Sequence, residues 1–244
     1  MLLLQNLTLS VEDKIVVHDL SLSILPGSLH VMMGQNGSGK SSLAYGLLGL
    51  PAYQKQAGTM MFLNHDLADL SIHERSKQGI FLAFQQPLTI PGVTVFQFLK
   101  EIYTASQQPF LATQDFQELV QNVLLQVGLD VSFLYRGLNE NFSGGEKKRL
   151  EIAQMLVLQP KLIILDEIDS GLDVDALRTI GRTVHTYLQA NSQASCLVIT
   201  HYRRILEYLQ PDFVHIMHAG TIVATGDVQL SYQIEEQGYD IYGR

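Results

Sequence analysis

The chain has 244 residues, 46% hydrophobic and 16% charged, with a formal net charge of 16 − 24 = −8. That length supports a large buried core in one domain or in a core with one insertion, and the acidic balance argues against broad nucleic-acid binding, which needs clustered Lys and Arg on phosphate. A single cysteine, Cys196, in an apolar run excludes an internal disulfide and an all-cysteine metal site within one chain; no apolar stretch approaches the ~20 residues of a membrane span, no basic leader precedes the first strand, and a cytoplasmic, bacterial setting without membrane insertion is expected.

Leu7–Val11 and Leu20–Ile24 alternate with period two, which predicts antiparallel strands with one wet face. Pro26-Gly27 marks a turn. Leu29–Met33 is a short apolar run suited to a buried strand, and it leads into GQNGSGKS at Gly34–Ser41. That segment fits G-x-x-x-x-G-K-[ST] at every fixed position, and a helical stretch follows at Ser42–Leu48. Gly34, Gly37 and Gly39 let the backbone curl. The turned backbone through Gln35, Asn36 and Ser38 and the free N–H groups at the helix start near Ser42 then form an anion cradle. Lys40 can reach β- and γ-phosphates, and the Ser41 hydroxyl can ligate Mg²⁺.

Thr59–Leu63 and Ile80–Phe84 read as further strands, the second delivering Gln85-Gln86-Pro87. A neutral amide at Gln85 can sense Mg²⁺ or an attacking water; the adjacent Gln86 leaves the register open. Pro87, Pro91 and Gly92 then interrupt the chain, and residues 94–140 carry helical periodicity. Phe116, Leu119, Val120, Val123, Leu124 and Val127 fall on one face. Asp115 with Glu118 has the form of a capping box, and Gly128 is a stop. Ser143 is the predicted N-cap of a helix to Leu158. Its inner face carries Leu150, Ala153 and Val157, and its outer face Lys147, Glu151 and Gln154. Leu162–Leu165 is suited to a central parallel strand ending in Asp166-Glu167. A helix begins near Asp173 and buries Ala176, Leu177, Ile180, Val184 and Leu188. Cys196–Ile199 is a strand ending at Thr200-His201, and Phe213–Met217 and Thr221–Ala224 flank a hairpin at Ala219-Gly220.

The expected fold is α/β: a P-loop NTPase core with a mainly parallel sheet, an antiparallel β subdomain and a helical insertion. Residues 1–85 and 159–244 form the core in this reading, and 86–158 the insertion. A carboxylate at the end of an apolar strand is costly unless paired or metal-bound, so Asp166 is assigned to Mg²⁺ together with Ser41. Glu167 can polarise a water for attack on the γ-phosphate, and a nitrogen of His201 can meet that phosphate. Ser143-Gly144-Gly145-Glu146 opens a helix with two glycines and is a second anion site. One nucleotide does not comfortably take both this helix end and the cradle of the same chain. A second copy resolves this, with Ser143–Gly145 of one protomer closing on the nucleotide of the other in a symmetric pair.

In order along the chain, these motifs resemble the nucleotide-binding domain of ABC ATPases. The resemblance implies Walker A at Gly34–Ser41, the Q-loop at Gln85, the signature at Ser143–Glu146, Walker B at Leu162–Asp166 with catalytic Glu167, the D-loop at Ser170–Asp173 and the H-loop at His201. It implies ATP and Mg²⁺ as ligands, with Gln85 near the metal and Asp173 near the nucleotide. A narrower resemblance, to the SufC family of ATPases in iron–sulfur cluster assembly, rests on AFQQPLTIPGV (83–93), FSGGEKKR (142–149), LDEIDSGLDVDAL (165–177), VITHYRRIL (198–206) and EEQGY (235–239). It implies SufB-like and SufD-like scaffold partners and a transient ATP-dependent homodimer; the alternative is the nucleotide-binding domain of a membrane transporter. Many ABC domains stack adenine on an aromatic residue upstream of Walker A, whereas Val11–Ile15 offers none. Base stacking is worth ~1–3 kcal/mol, so affinity for ATP is expected to be modest. Turnover of ATP and GTP should be comparable in a phosphate-release assay; a strong preference for ATP would show that the base is read by other means.

Overall fold

The computed structural model describes residues 1–106 and 108–242. The chain opens with β1 (Leu2–Val11), β2 (Lys14–Ile24) and β3 (Leu29–Met33), followed by α1 (Lys40–Leu48). Next come β4 (Gln54–Phe62), β5 (His65–Asp66), α2 (Ile72–Lys77) and β6 (Ile80–Ala83). A mainly helical stretch holds β7 (Ile90–Thr94), α3 (Val95–Ala105), α4 (Thr113–Gln126), β8 (Gly137–Leu138) and α5 (Gly144–Leu158). The chain closes with β9 (Leu162–Asp166), α6 (Val174–Ala190), β10 (Ser195–Ile199), α7 (Leu206–Leu209), β11 (Phe213–His218), β12 (Thr221–Gly226) and α8 (Gln229–Gln237).

Two sheets carry the architecture. One runs in the order β12-β11-β3-β10-β9-β6, with all neighbours parallel except β12 on β11. The other is antiparallel, β2-β1-β4-β5. The central parallel strands β3, β9 and β10 are buried on both faces, which is why they read as unbroken apolar runs. Alternate residues feed two cores. Val31, Leu165 and Val198 face the helices, with Ile152 and Leu156 of α5. Met32, Ile164 and Leu197 face the other way, with Leu43 and Leu47 of α1 and Phe62 of β4. Helix α1 is therefore enclosed between the sheets. Its C-terminus is held by Arg75, whose buried guanidinium donates to Gly46 O at 2.8 Å and Leu47 O at 2.9 Å.

In α4, Phe116, Val120, Val123 and Leu124 are buried, with Val127 just beyond the helix, and Leu119 lies partly buried at the margin. The expected capping box does not form. The helix starts three residues earlier than that box would require, Ala112 is its N-cap, and Asp115 sits inside the first turn, where its charge favours the helix dipole. Pro91-Gly92, read as a break, lies within β7, whose partner is β8. Among the described residues no helix is long and apolar enough to cross a membrane.

The core also contains a histidine pair. His30 on β3 and His215 on β11 share a hydrogen bond of 2.9 Å between Nδ1 and Nε2. The outer nitrogens meet Ser28 Oγ at 3.0 Å and Thr225 Oγ1 at 2.9 Å. Burial lowers both rings from 6.5 to about 4. The unfolded chain therefore binds protons that the folded one refuses, so stability is full above pH 6.5 and falls as the pH drops from there toward 4. Each ring contributes up to ~1.4 kcal/mol per pH unit in that window. Denaturant unfolding at pH 7 and pH 5 should show a loss that a His30→Gln/His215→Gln protein shows much less; equal losses in the two proteins would rule the pair out as the cause.

Candidate active site

The strand register brings the chemistry to one edge. Ile199 pairs with Met32 on one side and with Asp166 on the other. The segments that leave β3, β6, β9 and β10 therefore emerge together, at the carboxyl edge where open α/β sheets bind ligands. A cleft of about 480 Å³ lies there, lined by Asn36, Gly37, Gly39, Lys40, Ser41, Ser42, Gln85 and Glu167, among others. Gly34 is packed so closely that a Cβ would sit 2.2 Å from the Met217 carbonyl, so no other residue fits. Gly39 is left-handed at φ 104 and is the N-cap of α1, which aims the first free N–H groups of that helix at the cleft.

Lys40 is 4% exposed, and its ammonium donates to Gly34 O at 2.8 Å and Gln35 O at 2.9 Å, with Ser38 Oγ at 3.4 Å. Burial lowers its pKa, against the charges of Glu167 and Asp166. Ser41 Oγ donates to Asp166 Oδ1 at 3.0 Å, while Asp166 Oδ2 is buried without a hydrogen-bond partner. A hydroxyl beside a carboxylate with one unused buried oxygen is a fitting donor set for a hard divalent cation. Burial raises the pKa of Asp166, the direction expected of a carboxylate short of counter-charge.

Glu167 follows in a left-handed conformation at φ 48, which turns the chain sharply at the end of β9. Gln85 Nε2 donates to Glu167 Oε2, so the structure puts Gln85 rather than Gln86 on this carboxylate. His201 Nδ1 stands 3.7 Å from Glu167 Oε1, near contact but beyond hydrogen-bond range. Thr200 Oγ1 donates to Asp169 Oδ2 at 2.6 Å and ties the segment after β9 to the end of β10.

Ser143, Gly144, Gly145, Glu146 and Asp173 do not line this cleft. Ser143 and Glu146 close a reciprocal capping box at the start of α5, with Ser143 Oγ accepting from Glu146 N and Glu146 Oε2 accepting from Ser143 N. Asp173 caps α6 by accepting from Ala176 N at 2.7 Å. Gly145 lies against Leu172 and Ala176, so the two helix starts are neighbours, and Gly144 faces open space.

Several residues around the site received no role from the sequence. Lys14, Ile15, Val16 and His18 of β2, with Ala219 and Gly220 of the β11–β12 hairpin, also line the cleft. Lys148 on α5 is buried and donates to the Glu167 carbonyl. Glu151, expected on the outer face of α5, is instead 4% exposed and accepts from Phe84 N at 3.0 Å. The outer-face reading fails because α5 is covered on most sides, by α3 and β6 as well as α4 and α6. Burial pushes the Glu151 carboxyl up to about 8.

Comparison with known proteins gives the family. The ABC transporter family model matches residues 17–170. A probable ATP-dependent transporter of Synechocystis, slr0075, is 47% identical over 97% of this chain and 93% of its own length. The probable ATP-dependent transporter SufC of Escherichia coli is 45% identical over 98% of this chain and 97% of its own, and ycf16 of Antithamnion is 42% identical over 97% and 95%. The fold matches the dimeric structure of MJ0796, a bacterial ABC transporter cassette, with a TM-score of 0.81 at 21% identity over 93% of this chain and 99% of that one. A post-hydrolysis dimer of that cassette, bound to ADP and phosphate, matches equally well at 22% identity. With its phosphate cradle, its paired acidic residues and near full-length identity to these relatives, the chain belongs to the SufC/ycf16 family of ABC ATPases, enzymes that hydrolyse ATP.

Proposed function

We propose that this ATPase works in the cytoplasm as a subunit of an iron–sulfur cluster assembly complex, where ATP-driven pairing of two copies remodels SufB-like and SufD-like scaffold proteins. The observation that carries the catalytic half of this reading is the contact of Gln85 and the approach of His201 on one carboxylate, Glu167, beside the Lys40 cradle. The assembly half rests on the 45% identity to SufC of Escherichia coli along nearly the whole chain.

In this reading Lys40 and the backbone N–H groups of Gly34–Ser42 bind the phosphates. Ser41 and Asp166, with Gln85, would hold Mg²⁺, which supplies charge neutralisation on the phosphate oxygens when bound. Glu167 accepts a proton from the attacking water, and Gln85 orients that carboxylate through its amide. His201 places a nitrogen toward the γ-phosphate. Ser143, Gly144, Gly145 and Glu146, which stand away from their own cleft, act on the nucleotide of a second copy together with Asp173. Residues 86–158 form the arm that carries them, and the segment after Gln85 leads toward the partner proteins.

The second reading, a cassette docked on a membrane permease, is favoured by the transporter names of the relatives. Affinity purification of the native complex separates the two: SufB-like and SufD-like chains should co-purify, and a polytopic membrane protein in their place would overturn the assembly role. Lys40→Ala should lower phosphate release by at least ~100-fold. Glu167→Gln should abolish turnover while trapping an ATP-bound dimer on size exclusion; full turnover by Glu167→Gln would show that another group takes the proton.

A further inference from the structure

Helix α5 carries two buried, oppositely charged side chains one turn apart, Lys148 and Glu151, at 5% and 4% exposure. They do not serve chiefly to satisfy one another. Lys148 donates to the backbone carbonyl of Glu167, and Glu151 Oε1 accepts the backbone N–H of Phe84 at 3.0 Å. Phe84 immediately precedes Gln85, and Gln85 holds the Glu167 carboxylate. The side chains of a single helix turn therefore grip the backbone on both sides of the Gln85–Glu167 contact. Glu151 Oε2 is left buried with no hydrogen-bond partner. A buried carboxyl satisfied on one oxygen only is a poor choice for stability, since an apolar side chain of similar size avoids its desolvation cost. Helix α5 also begins at Ser143–Glu146, the end that stands away from its own cleft.

We infer that Glu151 is a positioning residue for hydrolysis: it anchors the Phe84 amide to α5, so that Gln85 meets Glu167 only when α5 is seated. A movement of α5 at its N-terminus is then carried within the same chain to the carboxylate that handles the water. The idea rests on the hydrolytic reading above and adds a residue that none of the motifs contains. It makes Glu151 important for its acceptor oxygen rather than for its charge.

The test uses the full chain with its co-purified partners. Glu151→Met keeps the volume and removes the acceptor; Glu151→Gln keeps an acceptor oxygen and removes the charge. For Glu151→Met, kcat should fall at least ~10-fold with KM within ~3-fold, the split expected when only the reacting geometry is lost. Glu151→Gln should recover most of that rate. Amide exchange at Phe84 should accelerate in the Met protein and stay at the wild-type level in the Gln protein, with or without nucleotide. The inference is overturned if the Met protein keeps wild-type kcat and wild-type exchange, if KM alone rises, or if Gln is as slow as Met. If the Met protein does not fold, the Gln protein decides: a protected Phe84 amide with near wild-type kcat supports the assignment, and loss of either sinks it. A wild-type protein without turnover would count against the hydrolytic reading, and the exchange data would still judge the anchor.

Discussion

Met32, Ile199 and Asp166 sit side by side on three parallel strands, and the site stands on that register. Slipping one strand by a residue would turn its side chains from one core to the other, so each core fixes the register independently of the ligand. Val31, Leu165 and Val198 must face the helices, and Met32, Ile164 and Leu197 must face α1 and the second sheet. Once those preferences are met, Gly34, Gln85, Glu167 and His201 have nowhere to go but the same edge. The geometry of this edge is a by-product of hydrophobic sorting on two faces of one sheet.

The polar groups at that edge are arranged around something the protein alone does not provide. The Lys40 ammonium is satisfied by loop carbonyls, a set of partners that a phosphate can replace oxygen for oxygen. Asp166 and Asp169 each keep a buried oxygen without a partner, and burial raises the pKa of both. Unsatisfied acceptors at a strand end cost stability. A divalent cation beside Ser41 would satisfy the free oxygen of Asp166. Glu167, held in a left-handed backbone conformation, adds local strain at the same place.

Much of this was legible in the sequence because it is local. GQNGSGKS needs only its own spacing and the flanking strand and helix, and Leu162–Leu165 announces a strand buried on both faces. Ser143 was readable as a cap from its position before a helical run. What escaped was tertiary. The outer-face assignment of Glu151 assumes that one side of a helix meets water, and α5 has little such side: most of the helix beyond its first turn is buried. Lys148 failed to register for the same reason, since a lysine in a helix reads as solvent-facing until the loop carbonyl above it is seen. The cleft wall where Val16 and His18 pack on Gly220 is assembled from segments some two hundred residues apart, and no spacing rule connects them.

The capping box at the head of α5 has one more consequence. Ser143 Oγ spends a lone pair on Glu146 N, which leaves its hydroxyl hydrogen free to donate. Glu146, however, places a carboxylate at the same helix end, and its bonds to Ser143 hold its pKa down, so it stays ionised. The dipole of α5 is therefore already partly answered by a resident anion, and that helix end draws further negative charge less strongly than it would with a neutral residue in Glu146's place.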